Sequence, residues 1–178
     1  MFNHLKHTIQ MIQIELDLEK ISRISREKER ENFRFRSFLK GKENKTVDNI
    51  VHRLNKEIES QIDCTKCGNC CINLKPGITK KEIDKLSKID HVTSDFFIQN
   101  YTEQDDFEDL KYLKDSPCKY LSDKKCSIYT DRPEDCKLYP HIHKPNFNTR
   151  TLGVLENYGI CPIVFNVFER LKMELKFR

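Results

Sequence analysis

The sequence predicts a mostly α, small and irregular domain with a few short extended segments, preceded by an N-terminal helical hairpin. Two observations carry that reading. Apolar residues recur at helical spacing before residue 62 and again after residue 161, and eight cysteines are spread over the stretch between. A third bounds it: of the 178 residues 34% are charged and 37% apolar, so the hydrophobic core must be modest. A domain with a small core gains from a stabilising metal site, and the cysteines make this fold metal-stabilised.

The hairpin is read from two stripes. Leu5, Ile9, Ile12 and Leu16, widened by Ile14, Leu18 and Ile21, predict an amphipathic helix from about residue 4 to about residue 30. Its continuation from Arg26 to Arg36 interleaves opposite charges, as in Glu27–Arg30 and Glu31–Arg34. After a break at Gly41–Asn44, Thr46 is expected to cap a second helix with Val47, Ile50, Val51, Leu54, Ile58 and Ile62 on one face. Residues 1–60 are read as this hairpin and 61–178 as the cysteine-bearing domain with its C-terminal helix. The hairpin is expected to clamp the second domain, and its face is also a candidate docking surface for a protein partner.

Further on, Pro76-Gly77 marks a turn and Thr79-Lys80-Lys81-Glu82 has the form of a capping box. Ser94 opens a short helix, and the acidic stretch Glu103–Asp115 reads as a loop. Two short extended pieces flank a turn at Asp123–Lys125, Asp131 is the expected cap of a short helix holding Cys136, and Cys161-Pro162 opens the last helix.

The cysteines carry the chemistry. Cys64, Cys67, Cys70 and Cys71 fall within eight residues, followed by Cys118, Cys126, Cys136 and Cys161. Thiolate is a soft ligand suited to zinc or an iron–sulfur cluster, and a C-x-x-C pair places two sulfurs on one metal. All eight are therefore candidate metal ligands, as two four-sulfur sites or one with spare thiols. Cys64, Cys67 and Cys70 share one period and should converge. Adjacent Cys70 and Cys71 should point apart, toward two centres or toward one cluster and one core position. Cys136 and Cys161 lie near expected helix N-termini, whose dipole favours thiolate. The C-x-x-C-x-x-C run partly matches ferredoxin spacing, which favours an iron–sulfur cluster as cofactor, with zinc the alternative.

Arg132, Tyr139, His141 and His143 are candidates for supporting the ligands by hydrogen bonds, with packing or solvent-facing roles weighed against them. No nucleophile triad, paired acid–base site or phosphate loop appears, so a binding role is favoured and an Fe–S oxidoreductase-like enzyme is the alternative. The net charge of +4 is mild and implies no nucleic acid. No apolar run approaches the ~20 residues of a bilayer span, and the first residues lack a signal-peptide pattern, which points to the cytoplasm.

The string Cys64–Cys71, then Cys118–Leu121, Cys126–Pro140 and Cys161-Pro162, resembles the YkgJ-type cysteine-cluster proteins, which are described as chelating zinc or iron. The resemblance covers about residues 60–165 and takes in all eight cysteines. It implies metal binding and no particular reaction. A remote relative, the lysine methylase acting on flagellin, raises methyl transfer as an alternative activity, although no Gly-rich nucleotide loop follows a strand here.

Overall fold

The computed structural model describes residues 13–104 and 110–178. It is mostly helical, with two small sheets, as the sequence leads one to expect. The part of the expected first helix before residue 13 lies outside the described residues, as does the middle of the acidic stretch.

The first helix is shorter than its apolar stripe. Residues 13–17 are not helical, and α1 spans Leu18–Glu27. Asp17 stops it: its carboxylate accepts the N–H groups of Glu19 and Lys20, an N-cap inside the expected helix. The preceding chain is held elsewhere, because Glu15 N–H donates to Asn166 Oδ1 and the Glu15 carbonyl accepts from Asn166 Nδ2, each at 2.9 Å. Leu16 is left exposed. The charged continuation forms its own helix, α2 (Glu29–Lys40), after a turn at Lys28.

The next helix, α3 (Asn44–Glu59), begins three residues earlier than a Thr46 cap requires. Glu43 takes the cap position, and the Thr46 hydroxyl is spent on the Glu43 carboxylate at 2.6 Å. Two short helices, α4 (Cys64–Cys67) and α5 (Asn69–Asn73), carry the first four cysteines. Then come β1 (Gly77–Ile78), α6 (Lys80–Ile89) and α7 (Ser94–Tyr101). The Thr79–Glu82 capping box is present with both of its bonds.

The acidic stretch is not all loop. Its ends form β2 (Thr102–Gln104) and β3 (Lys111–Leu113), and β3 is the central strand of an antiparallel sheet ordered β1-β3-β2. β4 (Leu121–Ser122) and β5 (Lys125–Cys126) form the expected hairpin. Its two turn residues, Asp123 and Lys124, both have positive φ (48° and 63°), the primed turn that matches strand twist.

The cap expected at Asp131 is also displaced. Asp131 ends a short 3-10 helix and pairs with Lys85, while α8 (Glu134–Leu138) starts at Pro133 with no cap of its own. Glu82 supplies the missing acceptor to Glu134 N–H at 2.7 Å. Helix α9 (Phe147–Glu156) had no periodic signal; Asp48 of α3 caps it from across the fold, accepting the N–H groups of Asn146 and Phe147. Helix α10 (Pro162–Glu174) closes the chain.

Two cores result. The larger joins Ile21, Phe35, Leu39, Val51 and Leu54 of α1–α3 to Phe147 of α9 and Val164, Phe168 and Leu171 of α10. The smaller packs Ile83, Leu86 and Phe97 of α6 and α7 with Leu113, Tyr120 and Ile128, and Cys118 and Cys126 lie against it. Cys161 belongs to the larger core, whereas Cys118 and Cys126 lie against the smaller.

Candidate metal centre

The first cysteine block is built around one glycine. Asp63 caps α4 through its bond with Thr65 N–H at 3.0 Å, and Gly68 ends that helix and opens α5. Gly68 has φ +62°, which a side chain rarely tolerates. A Cβ there would stand 2.7 Å from the Lys124 carbonyl oxygen, so the same glycine lets the β4–β5 turn press against the block.

The other cysteines are brought in by specific bonds. Asn69 Nδ2 donates to the Ile160 carbonyl at 2.7 Å, tying α5 to the residue before Cys161. On the far side, Cys118 N–H donates to the Cys71 carbonyl at 2.8 Å, and the Ser116 hydroxyl donates to the Ile72 carbonyl at 2.6 Å. The Cys118 carbonyl accepts from Leu121 N–H, and Leu121 is the strand partner of Cys126. Helix α8, with Cys136, is docked by Glu82 and by Asp135, whose carboxylate accepts Gly77 N–H at 3.0 Å.

All eight cysteines are free thiols. Cys161 is buried, Cys64 is exposed and the rest are half-buried. The Cys70 and Cys71 sulfurs are 4.0 Å apart, so the neighbouring thiols touch instead of diverging as their adjacency in sequence suggests. That contact pushes the Cys70 thiol up and draws Cys71 down to about 7. Burial pushes Cys136 and Cys161 up to about 12. Burial likewise raises Cys118, Cys126 and Cys64. These are thiols at neutral pH, so a metal taking them as thiolates must release protons.

Besides burial and the Cys70–Cys71 contact, the thiols raise one another by charge: Cys64 acts on Cys161, and Cys161 and Cys136 act on Cys70. Cys71, Cys118, Cys126 and Cys136 interact with one another. Among the described residues no three His, Cys, Asp or Glu side chains stand close enough round one point to hold an ion. The thiols are neighbours rather than a closed cage.

The four supporting candidates fall in different places. Tyr139 donates its hydroxyl to Asn157 Oδ1 at 3.0 Å, and its pKa is raised by burial and by the charge of Cys161, Cys70 and Cys67. Arg132 stacks on the Tyr129 ring at 3.7 Å, donates to the Tyr129 carbonyl, and lowers Cys64, Cys71 and Cys126 by its charge. His141 Nε2 bonds Asp135 at 3.0 Å, and burial lowers its pKa. His143 lines an open cleft of about 390 Å³ with His52, Asn55, Lys56, Glu59 and Ser60, apart from the cysteines. Sequence reasoning missed Asn69 and Asn157, and the second role of Glu82 at α8. Each acts on a residue far along the chain, so no local pattern marks it.

A family model for the CxxCxxCC domain, described as a "Putative zinc- or iron-chelating domain", matches residues 63–156. The chain belongs to this family. Nothing matches it among curated proteins or among solved structures. The residues present fit a zinc- or iron-chelating domain in chemistry: eight free thiols, all but Cys64 buried or half-buried. Each Sγ moves by rotation about a single bond, which gives neighbouring thiols a route to closer approach.

The membership carries no membrane implication. Among the described residues no helix is long and apolar enough to cross a bilayer.

Proposed function

We propose that this CxxCxxCC protein holds an iron–sulfur cluster through its cysteine thiolates, with the cluster serving a structural or redox role. The observation that supports it most is that the eight thiols are all free, with Cys161 and Cys118 drawn toward the first cysteine block by bonds from Asn69 to Ile160 and from Cys118 to Cys71. Sulfur-only donors suit iron–sulfur clusters and zinc alike. The C-x-x-C-x-x-C run, bent at Gly68, tips the reading toward iron.

When bound, such a cluster supplies one-electron transfer or a rigid crosslink. The chain's own residues would set its surroundings. Tyr139, held by Asn157, interacts with Cys161, and Arg132 places a positive charge toward Cys64, Cys71 and Cys126. Hydrogen bonds and charge near the sulfurs are the levers a protein has over such a site. The cleft at His52 and His143 takes in neither Arg132 nor Tyr139, which disfavours one enzyme pocket built from all the supporting candidates.

Anaerobic purification followed by metal and sulfide analysis and a visible spectrum tests the reading. Iron, acid-labile sulfide and a broad visible absorption that bleaches on reduction are expected. A colourless protein with stoichiometric zinc would replace the cluster by zinc, and absence of both metals would overturn metal binding.

A further inference from the structure

We infer that the outward face of α2 is a docking surface for an anionic lipid membrane, with Arg30, Arg34 and Lys40 against the headgroups and Phe33 set among them. This surface lies outside the cysteine region and does not depend on bound metal.

The positive charge of the chain is gathered in one place. Residues 20–45 carry ten Lys and Arg against four Asp and Glu, and the rest of the chain carries 22 against 24. A segment of net +6 therefore belongs to a chain whose remainder is −2. The fold then occupies the acids of that segment. Glu27 pairs with Arg23, Glu31 pairs with Lys172, and Glu43 accepts the Thr46 hydroxyl. Glu29 sits in the first turn of α2, where its charge suits the helix dipole. Arg30, Arg34 and Lys40 have no acidic partner among the described residues, and neither do Arg26, Lys42 and Lys45.

Helix α2 arranges these cations in a row. It turns Asn32, Phe35 and Leu39 into the core. Positions 30, 33, 34, 37 and 40 share the opposite side at helical spacing, and all five are exposed. Phe33, 48% exposed, stands inside the row. From Arg30 to Lys40 the row is about 15 Å long at the rise of an α-helix.

The shape of the row selects its partner. A stable protein partner needs about 800 Å² on each side, and a row about 15 Å long on a helix about 10 Å wide offers far less. A single nucleic-acid strand needs a cationic groove with successive rings for stacking, whereas this is the convex side of one helix with one ring. An anionic bilayer presents a plane, which a convex row meets along its length. Guanidinium forks bind phosphate oxygens in pairs, and an aromatic ring beside them can enter between the headgroups. Each cation near such a surface strengthens binding about fivefold.

Sedimentation of the full chain with lipid vesicles tests this. In about 0.1 M salt it is expected to bind vesicles of phosphatidylcholine and phosphatidylglycerol in equal parts, to ignore phosphatidylcholine alone, and to release in about 1 M salt, where screening is complete beyond roughly 3 Å. Arg30→Gln combined with Arg34→Gln should bind about 25-fold more weakly, with the melting temperature little changed because both side chains are exposed. Lys80→Gln combined with Lys81→Gln removes the same charge from the exposed start of α6 and should bind as the wild type does. The chain has no tryptophan, so Phe33→Trp reports on that ring alone, and its emission should shift to the blue when anionic vesicles are added. Failure to bind the anionic vesicles, equal weakening in the two double variants, an unshifted emission from Phe33→Trp, or tighter binding to a single-stranded oligonucleotide than to the vesicles overturns the inference.

Discussion

Asn69 and Ile160 stand 91 residues apart in sequence, and the side-chain amide of one is bonded to the carbonyl of the other at 2.7 Å. The bond joins the residue before Cys70 to the residue before Cys161. It is a sequence-distant hydrogen bond acting on two thiols at once. Asn69→Ala removes the donor and leaves a partly buried carbonyl without it, a loss of about 1–3 kcal/mol. A lower melting temperature and faster alkylation of Cys161 are expected, with the alkylation of Cys126 little changed. Equal acceleration at both cysteines would show that the bond is not specific to the Cys161 side.

Gly68 presents a sharper case. Its φ of +62° costs an L-residue roughly 1–2 kcal/mol, and an added Cβ would lie 2.7 Å from the Lys124 carbonyl oxygen. That neighbour is backbone in a two-residue hairpin turn and has little freedom to retreat. Gly68→Ala should therefore lose both stability and metal. In Gly153→Ala the added methyl meets nothing within 4 Å. Gly153 lies inside α9, where alanine is the better helix former by about 1 kcal/mol. Melting curves and metal content of the two variants make the comparison, and a Gly68→Ala protein as stable and as metal-rich as wild type would refute it.

How much of this was legible from the residues alone depends on the distance over which each signal acts. The capping box at Thr79–Glu82, the helix opening at Cys161-Pro162 and the hairpin before Cys126 were readable because their causes lie within a few residues. The helix starts near Thr46 and Asp131 were misplaced for the opposite reason. Thr46 is drawn to Glu43, Asp131 to Lys85, and the acceptor for α8 comes from Glu82, about fifty residues earlier. Helix α9 had no readable start because Asp48 caps it from α3. At the site, the ligand types were plain in the cysteine spacing. The contact of Cys70 with Cys71 was not, since adjacency along a chain does not fix side-chain direction.

The larger core carries a buried charge, and it predicts a pH response. Lys172 is 6% exposed and donates to Glu31, Asn32 and Glu169. Tyr158 also donates to Glu169, at 2.8 Å. Burial pushes the Glu169 carboxyl up, but the bonds from Lys172 and Lys28 outweigh it and leave its pKa below the ordinary 4.5. A depressed folded pKa adds stability above the unfolded value and loses it as pH falls through the folded one. Stability should thus decline below about pH 4.5, and Glu169→Gln should flatten that decline. Lys172→Met leaves Glu169 with Lys28 as its remaining cation, so the loss should fall below the roughly 3–5 kcal/mol of a buried charge left wholly unpaired. Denaturant unfolding at pH 7 and pH 4 reads both; an acid limb in Glu169→Gln as steep as in wild type would remove Glu169 from the account.

The two cores are unequal, and metal removal should expose the difference. Among the described residues the larger has eighteen buried members and the smaller only seven, with Cys118 and Cys126 packed against it. At about 1.5–3 kcal/mol per buried large apolar side chain, seven residues supply little surplus over the entropy of ordering their segments. If its cysteines hold metal as proposed, the smaller core depends on the crosslink they provide, whereas α3 and α10 bury an apolar interface of their own. Chelation is expected to abolish amide protection in α6, α7 and the β4–β5 hairpin while α3 and α10 stay protected. Hydrogen exchange with mass spectrometry before and after metal removal resolves the two regions. Cys126→Ser should reproduce the chelated pattern, because that thiol sits on the smaller core and its loss acts there first. Uniform loss of protection across α3, α10 and α6 on chelation would mean that the cores unfold as one unit and that the metal holds both.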